Sequence, residues 1–153
     1  DRVKESLFAM IQNHIENSNC LDLFAGSGNL GLEAISEGAK SCAFIDKNKT
    51  AVKTINNNLT KLGIENCRVY LKDFRIFLRE TTDKYNLIFI DPPYKTDFIK
   101  DALFLIEKYN LLTDDGLIIL ESDDKSKLIY NDYYTTFKER KYGDKFILIL
   151  SKY

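Results

Sequence analysis

Cys20 to Phe24 is a short apolar run, Ala25 to Gly31 is a glycine loop, and Leu32, Ala34 and Ile35 continue at helical spacing until Gly38. A strand that turns through glycines directly into a helix opens a crossover unit, and crossover units build parallel sheets. The order then repeats. Ser41 to Ile45 reads as a second strand closing on Asp46, and Lys49 to Leu62 reads as a helix with Val52, Ile55, Leu59 and Leu62 on one face and Gly63 past its end. A third strand is expected near Arg68 to Leu71, followed by Asp73 and a short helix carrying Phe74, Phe77 and Leu78. A fourth, Tyr85 to Ile90, runs into Asp91-Pro92-Pro93-Tyr94. Phe98, Ala102, Leu105 and Ile106 form the inner face of the next helix, and Leu117 to Leu120 is a fifth strand ending at Glu121-Ser122.

The period changes near the end of the sequence. Tyr133 to Tyr142 and Lys145 to Leu150 are two β-rich runs joined at Gly143-Asp144, a hairpin signal. An amphipathic helix from Asp1 to about Ile15 precedes the first strand. The expected fold is α/β: one domain over residues 1–153, doubly wound around a mostly parallel sheet with an antiparallel hairpin at one edge. The opening at Asp1, without methionine, suggests that a further segment precedes it.

At 153 residues and a formal net charge of −1, the chain has no overall attraction for nucleic acid, so such a partner would need a local basic patch. No apolar run approaches the ~20 residues of a membrane span and no signal-peptide pattern opens the chain, so a cytoplasmic location is expected. Cys20, Cys42 and Cys67 sit beside or within apolar runs, as buried reduced thiols do. With His14 the only histidine, no metal site is expected.

In an open parallel sheet, ligands bind beyond the carboxyl ends of the strands. Here those ends carry Asp22, Asp46, Asp73, Asp91 and the glycine loop. The loop matches G-x-G-x-x-G, which by itself also fits a tight turn that binds nothing. Asp22 distinguishes it from a dinucleotide loop: a carboxylate four residues before the first glycine opposes pyrophosphate and suits a cationic ligand. S-adenosylmethionine carries an ammonium and a sulfonium but no phosphate. Asp46 is placed to accept from both ribose hydroxyls, and Asp73 from the adenine amine with Phe74 against the ring. Each acid could instead cap a helix. The two prolines of Asp91-Pro92-Pro93-Tyr94 remove backbone donors and fix φ, holding a carboxylate, a carbonyl and an aromatic ring close together.

These residues carry a resemblance. Asp1-Arg2-Val3-Lys4-Glu5 with Leu7-Phe8, the stretch from Leu21 through Gly28 to Ala34, Asp46, and Asp91-Pro92-Pro93-Tyr94 make the chain similar to class I S-adenosylmethionine-dependent methyltransferases of Rossmann-like fold. More narrowly, it resembles the bacterial 16S rRNA guanine-N2 methyltransferase family. The resemblance implies S-adenosylmethionine bound by Asp22, Phe24, Ala25, Gly26, Ser27, Gly28, Asp46, Lys47, Asp73, Phe74 and Asp91, and catalysis at Asp91, Pro92, Pro93 and Tyr94. It also implies a monomer acting on 16S ribosomal RNA within an assembling small subunit. Arg2, Lys4, Tyr94 and Lys95 are the candidate RNA contacts, with Lys138, Arg140, Lys141 and Lys145 around the hairpin as further phosphate contacts. An amino methyltransferase of other specificity, acting on adenine N6 or on a protein amide, fits the proline motif equally, and a non-catalytic RNA-binding module fits the fold. An NAD dehydrogenase fits poorly because of Asp22.

Overall fold

A computed structural model describes residues 1–153. In chain order it contains α1 (Arg2–Ile11), β1 (Asn19–Asp22), α2 (Asn29–Ser36), β2 (Ser41–Asp46), α3 (Lys49–Leu62), β3 (Cys67–Leu71), α4 (Phe74–Glu80), β4 (Tyr85–Ile90), α5 (Phe98–Lys108), β5 (Leu112–Ser122), β6 (Tyr134–Tyr142) and β7 (Lys145–Lys152). The seven strands form one sheet in the order β3-β2-β1-β4-β5-β7-β6. β1 to β5 are parallel, and the β6–β7 hairpin adds two antiparallel strands beside β5. This is the doubly wound sheet with a terminal hairpin that the hydrophobic periods imply.

The central strands read as unbroken apolar runs because both of their faces are covered. On one face Leu7, Ile11, Ala34 and Ile55 of α1, α2 and α3 pack against Phe44, Leu87, Phe89 and Ile149. On the other, Phe77, Leu78, Leu103 and Ile106 of α4 and α5 pack against Ile45, Ile88, Ile90 and Leu120. Crossovers therefore leave β1 on one side and β4 on the other, although β1 and β4 are neighbours. Their outgoing loops part at that point and open a cleft.

Two elements differ most from their expected bounds. α1 stops at Ile11 and continues as a 3₁₀ turn over Gln12–His14, while Ile15 remains buried beneath it. β5 starts five residues earlier than its apolar run: Leu112 pairs with Tyr85, and the register then shifts before Leu117 meets Leu87. The extended backbone absorbs Thr113-Asp114-Asp115-Gly116 as an irregularity in the ladder.

Gly31 shows why the loop needs glycine at its last position. A Cβ there would stand 2.4 Å from Phe44 Cε1 and 2.7 Å from Cys42 Sγ, so α2 lies on β2 at a distance only hydrogen permits. Gly31→Ala is expected to cost about 1–3 kcal/mol through overpacking, measured by urea unfolding. An unchanged midpoint would mean that the helix shifts freely.

Candidate active site

Beyond the carboxyl ends of β1 to β4 lies a cleft of about 320 Å³, bordered by Phe24, Gly26, Asp46, Lys47, Lys72, Asp73, Phe74, Asp91, Pro92, Pro93 and Phe98. Gly26 turns at φ +57° and donates its N–H to Asp46 Oδ2 at 2.9 Å, while Asn48 N–H donates to Asp46 Oδ1 at 2.9 Å. Two backbone amides thus orient the Asp46 carboxylate. Each of its oxygens keeps accepting capacity for a further donor. Ala25 is buried and anchored by its N–H to the Ile45 carbonyl, Ser27 is exposed, and Gly28 stands at the N-cap of α2 with φ +82°.

Asp22 is 3% exposed, and its Oδ2 accepts the Gly31 N–H at 3.0 Å. Its carboxyl is pushed up to about 7 by burial, with Asp91, Asp46 and Glu121 adding repulsion and the Gly31 amide opposing. The start of α2, where a pyrophosphate would sit, is already held by this acid. Asp73 caps α4, accepting from Arg75 N at 2.8 Å and from Arg75 Nη1 at 3.3 Å. Phe74 was expected to offer its ring to a ligand, but it is 3% exposed, packed 4.8 Å from Phe24 and 5.1 Å from Phe98. The arginine that caps this cluster, Arg75, lies 4.6 Å above Phe74 and 4.7 Å above Phe98, which leaves Phe74 little free face. The more exposed part of the cleft's aromatic wall is shared by half-buried Phe24 and Phe98, whose rings stack 5.8 Å apart at 4°.

Across the Asp91-Pro92-Pro93 segment lies a second cleft, about 520 Å³, lined also by Tyr94, Ser122, Asp123 and Lys145. The Asp91 side chain is 39% exposed with Lys145 Nζ 3.6 Å from Oδ1. Burial raises its carboxyl above the ordinary range, Lys145 pulls it back, and Asp123 raises it again. The Pro93 carbonyl accepts from Thr96 Oγ1 at 3.0 Å, whereas the Pro92 carbonyl accepts nothing from the protein. Tyr94 is 66% exposed at the rim.

Residues 1–151 match the family model described as "Conserved hypothetical protein 95". Ribosomal RNA small subunit methyltransferase D of Haemophilus influenzae is 35% identical over 147 residues, covering 94% of this chain and 76% of that protein. YlbH of Bacillus subtilis is 39% identical over 158 residues, covering 99% of this chain and 85% of that protein. The chain belongs to the ribosomal RNA small subunit methyltransferase D family. The solved structure of yhhF from Escherichia coli superposes with a TM-score of 0.94 at 31% identity, over 99% of this chain and 86% of the other. A Streptococcus mutans methyltransferase-like chain solved with S-adenosylhomocysteine shares the fold at a TM-score of 0.77 and 16% identity.

The expected RNA contacts divide. Arg2 is exposed at the start of α1, and exposed Lys95 lies 5.7 Å over the Tyr94 ring. Lys4 is committed to the protein, paired with Glu33 at 3.4 Å and donating to Asn29 Oδ1 at 3.1 Å, so it ties α1 to α2 rather than facing a phosphate. Lys145 likewise points into the second cleft. Lys138 donates to the Met10 carbonyl at 3.3 Å, Lys141 covers Phe146 at 5.4 Å, and Arg140 is exposed on the edge strand.

Three side chains in or beside these clefts escape the strand-end rule or its first reading. Glu121 ends β5 as the other acids end their strands, and the same rule would have marked it. Phe98 reads as one more inward position of an amphipathic helix, and Lys145 as one more hairpin lysine. A larger hollow of about 690 Å³ lies at the opposite, amino ends of the strands, where Cys20, Cys42 and Cys67 stand in register across β1, β2 and β3. All three thiols are free. No group of three or more histidine, cysteine or acidic side chains is arranged to hold a metal ion.

Proposed function

We propose that the chain transfers the methyl group of S-adenosylmethionine to the exocyclic N2 amine of a guanine in small-subunit ribosomal RNA. The observation that carries this reading is the meeting of two clefts at Asp91-Pro92-Pro93: one bordered by the glycine loop and Asp46, the other open to solvent beside Tyr94. A donor and an acceptor can approach one short segment from opposite sides.

The first cleft suits the proposed donor. Asp22, Asp46 and Asp91 gather negative charge around it, which favours a cation over a phosphate ester. Of the lysines on its border, Lys72 is paired with Glu80 at 2.7 Å, and Lys47 stands exposed at the rim. S-adenosylmethionine supplies a methyl carbon on a sulfonium, ready for in-line displacement by a nucleophile. Asp46 is oriented for the ribose hydroxyls, and Asp22 and the amides near Gly26 for the amino-acid part. Asp73 keeps the adenine-amine role only through a lone pair its cap leaves free.

The second cleft suits a planar amine. A nucleobase amine is a weak nucleophile because its lone pair is delocalised into the ring. Hydrogen bonds from its two N–H groups to the Asp91 carboxylate and to the unoccupied Pro92 carbonyl would favour a pyramidal nitrogen and aim its lone pair. The proton lost after transfer needs no strong base, and Asp91 or water can take it. Tyr94 stands where it could stack on the base, worth about 1–3 kcal/mol, and a base reaching it must be unpaired or flipped out. Tyr94→Ala should therefore raise the RNA KM while Tyr94→Phe leaves it near normal in steady-state assays. Equal damage from both would assign the role to the hydroxyl.

The test is incubation of small-subunit ribosomal RNA and of small subunits, both from cells lacking the enzyme, with isotope-labelled S-adenosylmethionine, followed by mapping of the label. Label on a guanine N2 is the expected result. Label on adenine N6 only, or on protein only, would overturn the substrate assignment, because the proline motif accepts any planar amine.

A further inference from the structure

The antiparallel hairpin does something the parallel strands cannot. β7 runs against β5, so its first residue, not its last, arrives at the ligand side of the sheet, with Phe146 in register with Ser122. Lys145 is thereby placed 3.6 Å from Asp91 Oδ1 and 3.9 Å from Glu121 Oε2. Glu121 is 6% exposed and pushed up to about 7 by burial and then by the Asp91 charge, with Lys145 opposing.

We propose that Lys145 is a positioning residue for methyl transfer: held by Glu121 as well, it fixes the orientation and the ionised state of the Asp91 carboxylate that receives the acceptor amine. This rests on the reading of Asp91 given above. The other charges coupled to Asp91 are acids: Asp22 from β1, Glu121 from β5 and Asp123 from the loop after it. Of the other lysines lining its cleft, Lys127 is paired with Asp97 at 2.8 Å, and Lys95 and Lys125 are exposed. Without the Lys145 ammonium, Asp91 stands among carboxylates and takes up a proton at higher pH. A protonated carboxyl carries an O–H, and that donor faces the amine N–H groups that need an acceptor. Glu121 matters because a lysine side chain alone is flexible. A second acidic side chain, buried and 3.9 Å away, narrows where its ammonium can rest.

Lys145 is partly exposed, so its replacement leaves the core packing alone. Lys145→Met should lower kcat about tenfold at pH 7 and move the acid limb of the kcat–pH profile up by about one unit. The affinity for S-adenosylhomocysteine should change less than about threefold, and Lys145→Arg should restore most of the rate. Carbon NMR of the Asp91 carboxyl in the ligand-free protein supplies a readout independent of substrate: its titration midpoint should rise in Lys145→Met. An unmoved midpoint, or an unshifted acid limb, would overturn the proposal. Absence of methyl transfer by the unmodified protein would instead overturn the functional reading, and the NMR titration would still decide the link between Lys145 and Asp91.

Discussion

Asp91→Ala is expected to reduce methyl transfer by about 10²–10³-fold, the loss typical when one preorganised polar partner of a transition state is removed. S-adenosylhomocysteine affinity should stay within a few-fold. The separation follows from geometry. Asp91 borders both clefts, but the first keeps Gly26, Asp46, Phe24 and Phe98 without it, whereas the second would be left with the Pro92 carbonyl as the amine's remaining acceptor. Truncation also leaves Lys145 paired with Glu121 alone, so no cation is stranded. Asp91→Asn retains one acceptor oxygen and should fall between the two. Single-turnover assays and calorimetry with S-adenosylhomocysteine check the split, and near-normal turnover by the alanine variant would remove Asp91 from the reaction.

Asp22→Asn is expected to stabilise the free protein and weaken the bound one. The Asp22 carboxyl titrates near 7 in the folded chain against an ordinary value of 3.8. An acid raised on folding gives up its proton first in the unfolded state, so it lowers stability progressively as pH climbs from about 4 to about 7. Above that window the cost is on the order of 4 kcal/mol at about 1.4 kcal/mol per unit. An amide of the same shape can still accept the Gly31 N–H through its oxygen and carries no charge to bury. Thermal melts should show the variant gaining several degrees at pH 8, with the gain shrinking toward pH 4.

Binding should move the opposite way. A cationic amino group near Asp22 favours its ionised form, so binding releases a proton and the unmodified protein should hold S-adenosylhomocysteine more tightly as pH rises through 7. The variant should bind at least about tenfold more weakly at pH 8 and lose most of that pH dependence. If it melts no higher and binds equally well, Asp22 is only a cap for the backbone of α2.

Most of this architecture is legible in the chain because period and position agree. The glycine loop after β1 and the proline motif after β4 can be placed from hydropathy alone, and the rule that ligands gather at carboxyl strand ends brings them together. What stays hidden depends on packing angles and on partners. Phe74 and Phe98 are both aromatic residues at the start of a helix that border the cleft; only the crossing of α4 and α5 buries one and leaves the other half-exposed. Lys4 looks like any lysine on a polar helix face until α2 presents Glu33 beside it. Lys145 is invisible for a different reason. Its place follows from strand direction, and a hairpin signal says that two strands pair without saying which of them lies inside.

Here the later strand lies inside. β7 is seated between β5 and β6, so β6 leaves the ribosome first and has no edge to join until β7 has followed it. During synthesis the donor cleft, built from β1 to β4, can be assembled while the acceptor cleft still lacks its cation. The order in which the chain emerges therefore withholds the final piece of the second cleft until the sheet itself is closed, and a nascent chain halted in the hairpin turn would have one half of the site and not the other.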